Sequence, residues 1–400
     1  MTEKIKSFFN PRLVVIFLYI LFSFIAKPPI MPEIYITYSI YLLIGYSIIE
    51  IIKNGNLYWN KYLTWSFSIM LLCFFSILYA KRPEIVYNGL YNLLIPIVLS
   101  SAIVQLVKNV QDIKKILIVL ALSGGILYLL MSMHGLFNIT ERLGNELFGN
   151  ANAFASMILL SVMAAISSIY LSKNKFIWIV MIVILLLDYH MLFLSEGRKY
   201  LLAPLLFLLM LVFKSSDFKI SGLIGVLVVI LFAVPVVVNL LIEFDVISDS
   251  LIRRFEMMSA MLEGQSGYMG VGDLERKAMI DSGLDYFMMS PIFGNGHGNF
   301  SYLFSLDNSG GHIGHFSHNN YVELLCNLGL IGLIVYYIFY YKVLKCSLKQ
   351  NTPACNIVFA FFIILMILEV GIVSYYSQIF LQMIICIASL AVFKSERIKL

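Results

Sequence analysis

Runs of about twenty apolar residues, nearly free of charge, recur along the whole of this 400-residue chain. Roughly 17 to 25 such residues make a helix long enough to cross a hydrocarbon core of about 30 Å. A lipid-embedded backbone has no water to satisfy its N–H and C=O groups, so stretches of this kind become helices. Twelve are counted, at about 13–31, 34–52, 62–80, 85–107, 115–133, 151–171, 176–195, 199–213, 220–242, 318–341, 354–373 and 375–393. The eighth is the shortest. The fold expected is all-α: one integral membrane domain over residues 1–400, with about 12 transmembrane helices and one long extracytoplasmic loop, 243–317, carrying short helices. The first run is read as a span and not a cleavable signal, because further spans follow closely and no small-residue cleavage site stands out. A composition of 60% hydrophobic and 13% charged residues excludes a soluble domain of this size.

Charge orients the chain. With the N-terminus inside and every run crossing, 18 of the 28 basic residues fall inside, as the positive-inside rule requires. Both termini are then cytoplasmic. The identity of the bases carries more information than their number. Inside stand 16 Lys and 2 Arg; outside stand 4 Lys and 6 Arg, namely Arg82, Arg142, Arg198, Arg253, Arg254 and Arg276. Outer arginines oppose the topological rule. Arg offers a planar fork that grips phosphate or carboxylate, where Lys is a point charge, so the pattern points to an anionic ligand on the outer face. Ordinary loop salt bridges are the competing reading for any single Arg.

Other classes find little support. The net charge of +5 follows from topology and gives no case for nucleic acid. The five cysteines show neither a CxxC pair nor a plausible disulfide set. No phosphate-binding or dinucleotide loop and no HExxH is present. No internal repeat is evident, which weakens a transporter with inverted halves.

Two outer segments have real size, 134–150 and 243–317. In the second, DLERKAMIDSGLDYFMMSP sets Leu274, Ala278, Ile280, Leu284 and Phe287 near helical spacing, with Pro291 beyond its end. GNGHGNF and a His-rich stretch follow. Four of the six histidines (His297, His312, His315 and His318) cluster here, where the loop runs into the tenth span. Clustered titratable groups at a membrane edge mark a functional site.

Four segments carry a resemblance to the superfamily of O-antigen ligases and Wzy-type O-antigen or capsule polymerases. They are FGNANAFASM (148–157), LSEGRKYLLAP (194–204), ERKAMIDSGLDYFMMSPIFGNGHGNF (275–300) and SHNNYVELLCNLGLIGLI (317–334). The order of these segments and the late long loop also resemble that superfamily. The resemblance covers roughly residues 145–340 and implies an inverting, metal-independent glycosyltransferase without a cofactor, in the bacterial plasma (inner) membrane. Its donor is a polyprenyl-pyrophosphate-linked oligosaccharide and its acceptor a sugar hydroxyl, on the outer face. A chain-length regulator, a flippase and membrane lipids are the further partners it implies. Polymerase is preferred over ligase, which would use the lipid A core. The rival from another class is a flippase or transporter for lipid-linked oligosaccharide; that would need charges within the spans, where few stand.

The residues fit this chemistry on their own terms. Cleaving a sugar–pyrophosphate bond builds negative charge on oxygen, which fixed cations stabilise. Arg198, at an outer helix start, and Arg276, on the loop helix, match the superfamily's arginines by motif. Snorkelling for Arg198 and pairing with Asp273 or Asp281 for Arg276 are the structural alternatives. Arg253 and Arg254 at the loop entrance are secondary substrate-binding choices, with a structural role the more natural one. His318 is the expected general base: it follows Ser317, read as the N-cap of the tenth span, and helix starts disfavour imidazolium. Asn319 completes the His-Asn motif. His297, between Gly296 and Gly298, sits in a turn whose amides suit a phosphate or sugar, or in a simple tight turn. Glu323, an acid one turn into a membrane helix, is expected to hold an Arg or a loop amide. Gly329 and Gly332 are read as helix-packing positions. Tyr268, Tyr302 and Tyr321 are read as sugar-stacking positions. The His312, His315 and His318 spacing leaves a metal site as a minor alternative.

Overall fold

A computed structural model describes residues 10–137, 142–216, 271–307, 314–376, 378–393 and 398–399. Among them the chain is nearly all helix: α1 (Pro11–Ile25), α2 (Ile34–Asn54), α3 (Lys61–Phe75, prolonged by a 3-10 turn at Ser76–Leu78), α4 (Pro83–Leu106), α5 (Val110–Met133), α6 (Asn145–Phe148), α7 (Ala151–Leu171), α8 (Lys175–Leu194), α9 (Arg198–Ser215), α10 (Val271–Met289), α11 (Phe300–Asp307), α12 (Asn320–Leu348), α13 (Pro353–Leu368) and α14 (Ile379–Val392). Two short strands, β1 (Tyr58–Trp59) and β2 (Ile398–Lys399), pair antiparallel. Each apolar run that falls on described residues coincides with one helix; the ninth, 220–242, lies outside them. Among the described residues seven helices are long and apolar enough to cross a bilayer, and α1, α13 and α14 are shorter apolar helices. The chain is a polytopic membrane protein.

Helix starts are written in asparagine. The side chains of Asn10, Asn60, Asn109, Asn150 and Asn174 accept from the backbone N–H of Arg12, Leu63, Asp112, Asn152 and Phe176. Each satisfies a donor that a first helical turn leaves orphaned.

The chain divides into two compact units. The first comprises Met1–Lys53, Leu106–Gln265 and Ser347–Ile364. Here α7 packs against α5, α8 and α9, and α1 lies on α5. Small buried residues along α7, among them Ala155, Ala164 and Ala165, permit close approach. Gly124 of α5 does the same: a Cβ there would meet Ser161 Oγ at 2.2 Å and Asp188 Oδ1 at 2.7 Å. At one end of the unit Arg12 pairs with Asp112 at 3.2 Å and Lys108 with Glu50 at 2.8 Å. The start of α1, the end of α2 and the start of α5 therefore lie together, as alternating crossings require.

The second unit comprises Asn54–Gln105, Ser266–Cys346 and Leu365–Leu400. Trp65 of α3 stacks on Phe339 of α12 at 4.6 Å and donates its indole N–H to Tyr336 O at 2.9 Å. The expected helix forms as α10, and its buried side is not the whole of the apolar stripe. Leu274 and Leu284 are exposed, and the buried side is Met279, Gly283 and Tyr286, packed with Phe300, Leu303, Phe304 and Cys326. A hydrophobic stripe need not face a protein core where lipid is also available.

The defining feature of this unit is a break in α12. Gly329 has φ 64° and ψ −164°, outside helical space. The segment 291–296 docks in the gap. Asn295 and Gly296 N–H donate to Cys326 O and Asn327 O, both at 2.9 Å; Leu330 N–H donates to Pro291 O at 2.9 Å and Ile331 N–H to Ile292 O at 3.3 Å. In an unbroken helix residue 330 would pair with 326 and residue 331 with 327. The docked segment replaces both bonds and leaves none of these four groups orphaned. The fit is close: a Cβ on Gly329 would lie 2.3 Å from Ile292 O, and one on Gly294, whose φ is 75°, 2.4 Å from the Asn327 carbonyl carbon. Gly329 is thus a break that admits another backbone, not the helix-packing position its spacing suggests.

Candidate active site

The four motif segments come together in two pairs, one pair in each unit. In the first unit Arg142 joins the FGNANAFASM and LSEGRKYLLAP segments. Its Nε donates to Ser195 O at 2.9 Å and its Nη2 to Asn152 Oδ1 at 3.3 Å. Leu143 N–H donates to Leu194 O at 2.9 Å, and Gly197 lies close against Ala155. Arg142 thereby holds the turn that precedes Arg198. In that turn Glu196 has φ 53°, a left-handed conformation that costs a non-glycine residue about 1–3 kcal/mol. Arg198 is half-buried at the first position of α9, after Gly197 as N-cap.

In the second unit the Gly-rich segment 290–299 joins the His-Asn segment through the α12 break, and Gly283 of α10 abuts Val322. His318 has φ 55°. Both flanks of this strained residue are fixed. Ser317 Oγ donates to Asn319 O at 2.8 Å. Asn319 Oδ1 accepts from Tyr321 and Val322 N–H at 3.0 and 3.2 Å. Asn319 is therefore the N-cap of α12, where Ser317 was expected, and His318 lies one residue outside the helix with its ring against Phe316 at 4.4 Å. Both residues share the helix-end field, but only one has the geometry to cap, and Asn reaches two amides where Ser reaches one.

Glu323 is buried. Its Oε2 accepts from Ser317 N–H at 2.7 Å, the loop amide anticipated for it. Its Oε1 accepts from Asn327 Nδ2 at 3.1 Å and Tyr376 Oη at 3.0 Å. All three partners are donors, a set that suits a carboxylate. Glu323 holds the segment that carries His318.

Residues 181–337 match the family model described as O-antigen ligase. This segment is similar to the O-antigen ligase family. No curated protein matches the chain significantly. The match takes in three of the four motif segments and starts after FGNANAFASM, which nonetheless packs on the Arg198 turn. Members of the O-antigen ligase family are glycosyltransferase-like enzymes that use lipid-linked glycans.

Within the family segment, other expected residues are placed as follows. Arg276 is exposed on α10, and His315 is exposed with its ring near Phe304. Arg253, Arg254, His312 and Tyr268 lie outside the described residues. His297 is fully buried. Its N–H donates to Ser76 Oγ at 3.0 Å, and Gly296 N–H is taken by Asn327 O, so these amides serve the fold. Nδ1 lies 3.2 Å from Tyr375 Oη, which itself accepts from Asn327 Nδ2. Burial pushes His297 down to about 4, which keeps the imidazole neutral. Tyr321 turns inward, stacked on Tyr337 at 4.8 Å. Tyr302 lies under the Arg82 guanidinium at 5.4 Å, while Asn299 Oδ1 accepts from Arg82 N–H at 2.7 Å.

Sequence reading overlooked the hydroxyl-rich network that supports this end of α12. Glu369 accepts from Tyr340 at 2.8 Å, Tyr337 at 2.9 Å, Tyr336 at 3.3 Å and Ser374. Asn320 ties this group to the start of α12: its N–H donates to Glu369 O at 2.8 Å and its Oδ1 accepts from Ser374 N–H at 3.0 Å. The tyrosine spacing of YYIFYY (336–341) places Tyr336 and Tyr340 on one helix face, a signal available in the sequence.

Proposed function

We propose that this protein is a polysaccharide polymerase of the bacterial plasma membrane. It transfers glycan from a polyprenyl-pyrophosphate donor to a sugar hydroxyl of a second lipid-linked unit, on the outer face and without a metal. In this reading the acceptor oxygen attacks the anomeric carbon with inversion. Its proton passes to the His318 imidazole, and the bond from the anomeric carbon to the bridging oxygen breaks, leaving the electron pair on polyprenyl pyrophosphate. Arg198 and Arg276 neutralise the charge that develops there.

One observation carries the reading. Among the described residues, two non-glycines hold a left-handed backbone: Glu196, in the turn before Arg198, and His318 itself. Strain of this kind persists where the surroundings over-determine it, and it gathers at working sites. Arg142 over-determines the first position, and Asn319 with Glu323 the second. Transfer to the lipid A core is the second reading, which the similarity to O-antigen ligases favours.

Reconstituted enzyme with a lipid-pyrophosphate donor provides the test. His318→Ala is expected to lower turnover about 10²–10⁴-fold, the usual contribution of a general base, with donor binding retained. Arg198→Lys and Arg276→Lys should each lower it more than tenfold, and EDTA should have no effect. Lipid-linked dimers mark a polymerase; product on lipid A core marks a ligase. Donor crossing the bilayer without any product would overturn both in favour of a flippase.

A further inference from the structure

The end of α10 and the segment after it are apolar and exposed. Met288, Met289, Ile292 and Phe293 are 71%, 65%, 56% and 55% accessible. Four large apolar side chains within six residues form a patch that a water-facing loop of a soluble surface would not carry. Their position says what covers them. Pro291 and Ile292 are hydrogen-bonded into the break of α12, directly beside Leu330 and Ile331. Leu330 and Ile334, on the same span-length helix, are exposed in turn. On the other side Tyr79 Oη donates to Phe293 O at 2.9 Å, one residue past the Leu78 end of another span-length helix, and Leu78 is 84% accessible. The patch is therefore continuous with the lipid-facing surfaces of two spans.

Depth can be read from both. Leu330 precedes Lys342 by twelve residues, about 18 Å along a helix. With Lys342 at one edge of a hydrocarbon core of about 30 Å, the docked segment lies past the midplane. Tyr79 puts it within one side-chain length of the far edge. Both estimates give the leaflet nearer the start of α12.

We infer that residues 288–293 are a re-entrant hook whose occupant is the acyl chains of that leaflet. The hook is open to lipid on its Met288, Ile292 and Phe293 side, while α12 takes the carbonyls of Pro291 and Ile292 and Tyr79 that of Phe293. This is how non-helical backbone is tolerated at membrane depth. The hook ends α10, so it fixes the helix that carries Arg276 against the bilayer surface. The inference concerns lipid contact alone and does not depend on the catalytic reading.

Spin labels on single cysteines test it in proteoliposomes, in the full chain with Cys346, the one cysteine that is not buried, replaced by Ala. Phe293→Cys and Met288→Cys are compared with Asp285→Cys, an exposed polar position on the same helix. Collision with oxygen, which partitions into lipid, is expected to exceed collision with a water-soluble nickel chelate severalfold at 288 and 293, and the order should reverse at 285. Nickel collision at 288 and 293 equal to that at 285 would overturn the inference. So would low collision with both reagents, which means that protein covers the patch. The two hook positions guard against a folding failure in either variant.

Discussion

At the residue scale, the acid that matters most to the second unit is one that touches no cation among its recorded partners. Glu323 receives three donors, from Ser317, Asn327 and Tyr376. Glu323→Gln turns one acceptor into a donor that must face another donor, and leaving a buried polar group unsatisfied costs about 1–3 kcal/mol. We expect that variant to lose tenfold or more in kcat with KM nearly unchanged, because His318 shifts while substrate groups stay in place. Tyr376→Phe removes one donor and should lose less. An unchanged kcat in Glu323→Gln that folds normally would remove its positioning role. Much of this was legible in the chain: Arg198 at a helix start, the His-Asn motif and an acid in need of a loop amide. The partners Tyr375, Tyr376 and Asn327 were not. They converge from segments some fifty residues apart, and a donor's address is set by folding, not spacing.

At the element scale, helix positions were readable because each lipid-crossing stretch announces itself by length, and asparagine marks many of the starts. The break in α12 was not readable, since glycines in an apolar helix also serve close packing. Gly329→Ala tests the difference. The added Cβ would strike Ile292 O, which is backbone, and would force alanine into a positive-φ, extended conformation that essentially only glycine adopts, itself costing about 1–3 kcal/mol. We expect a drop in melting temperature of detergent-solubilised protein and loss of activity. Gly45→Ala, in open space within α2, should be neutral or slightly stabilising. Equal behaviour of the two variants would show that the docked segment tolerates displacement. The buried side of α10 was not readable for a related reason: periodicity finds a stripe but does not say whether lipid or protein meets it.

At the scale of the whole molecule, the sequence indicates a count of crossings but not how they are grouped. The two units interleave along the chain, each assembled from three separate stretches, and each gathers two of the four motif segments. Linear order offered no hint of that pairing; Arg142, the link in the first unit, was one outer arginine among six. Orientation remains a prediction. A reporter active only outside the cytoplasm should be silent after Lys349 and active after Gly264, and the reverse pattern would move the proposed chemistry to the other face.

The gap in α12 has a consequence for how the protein is made. Residues 290–296 are synthesised before the carbonyls and amides they will bind. Those four groups, at 326, 327, 330 and 331, are also complementary to one another. A newly inserted tenth span therefore has a self-sufficient state as one straight rod, and it opens only when the earlier segment docks. The native kink is thus a late step of maturation, imposed from outside the helix. A peptide of residues 320–348 in micelles should accordingly show helical chemical shifts running unbroken through Gly329.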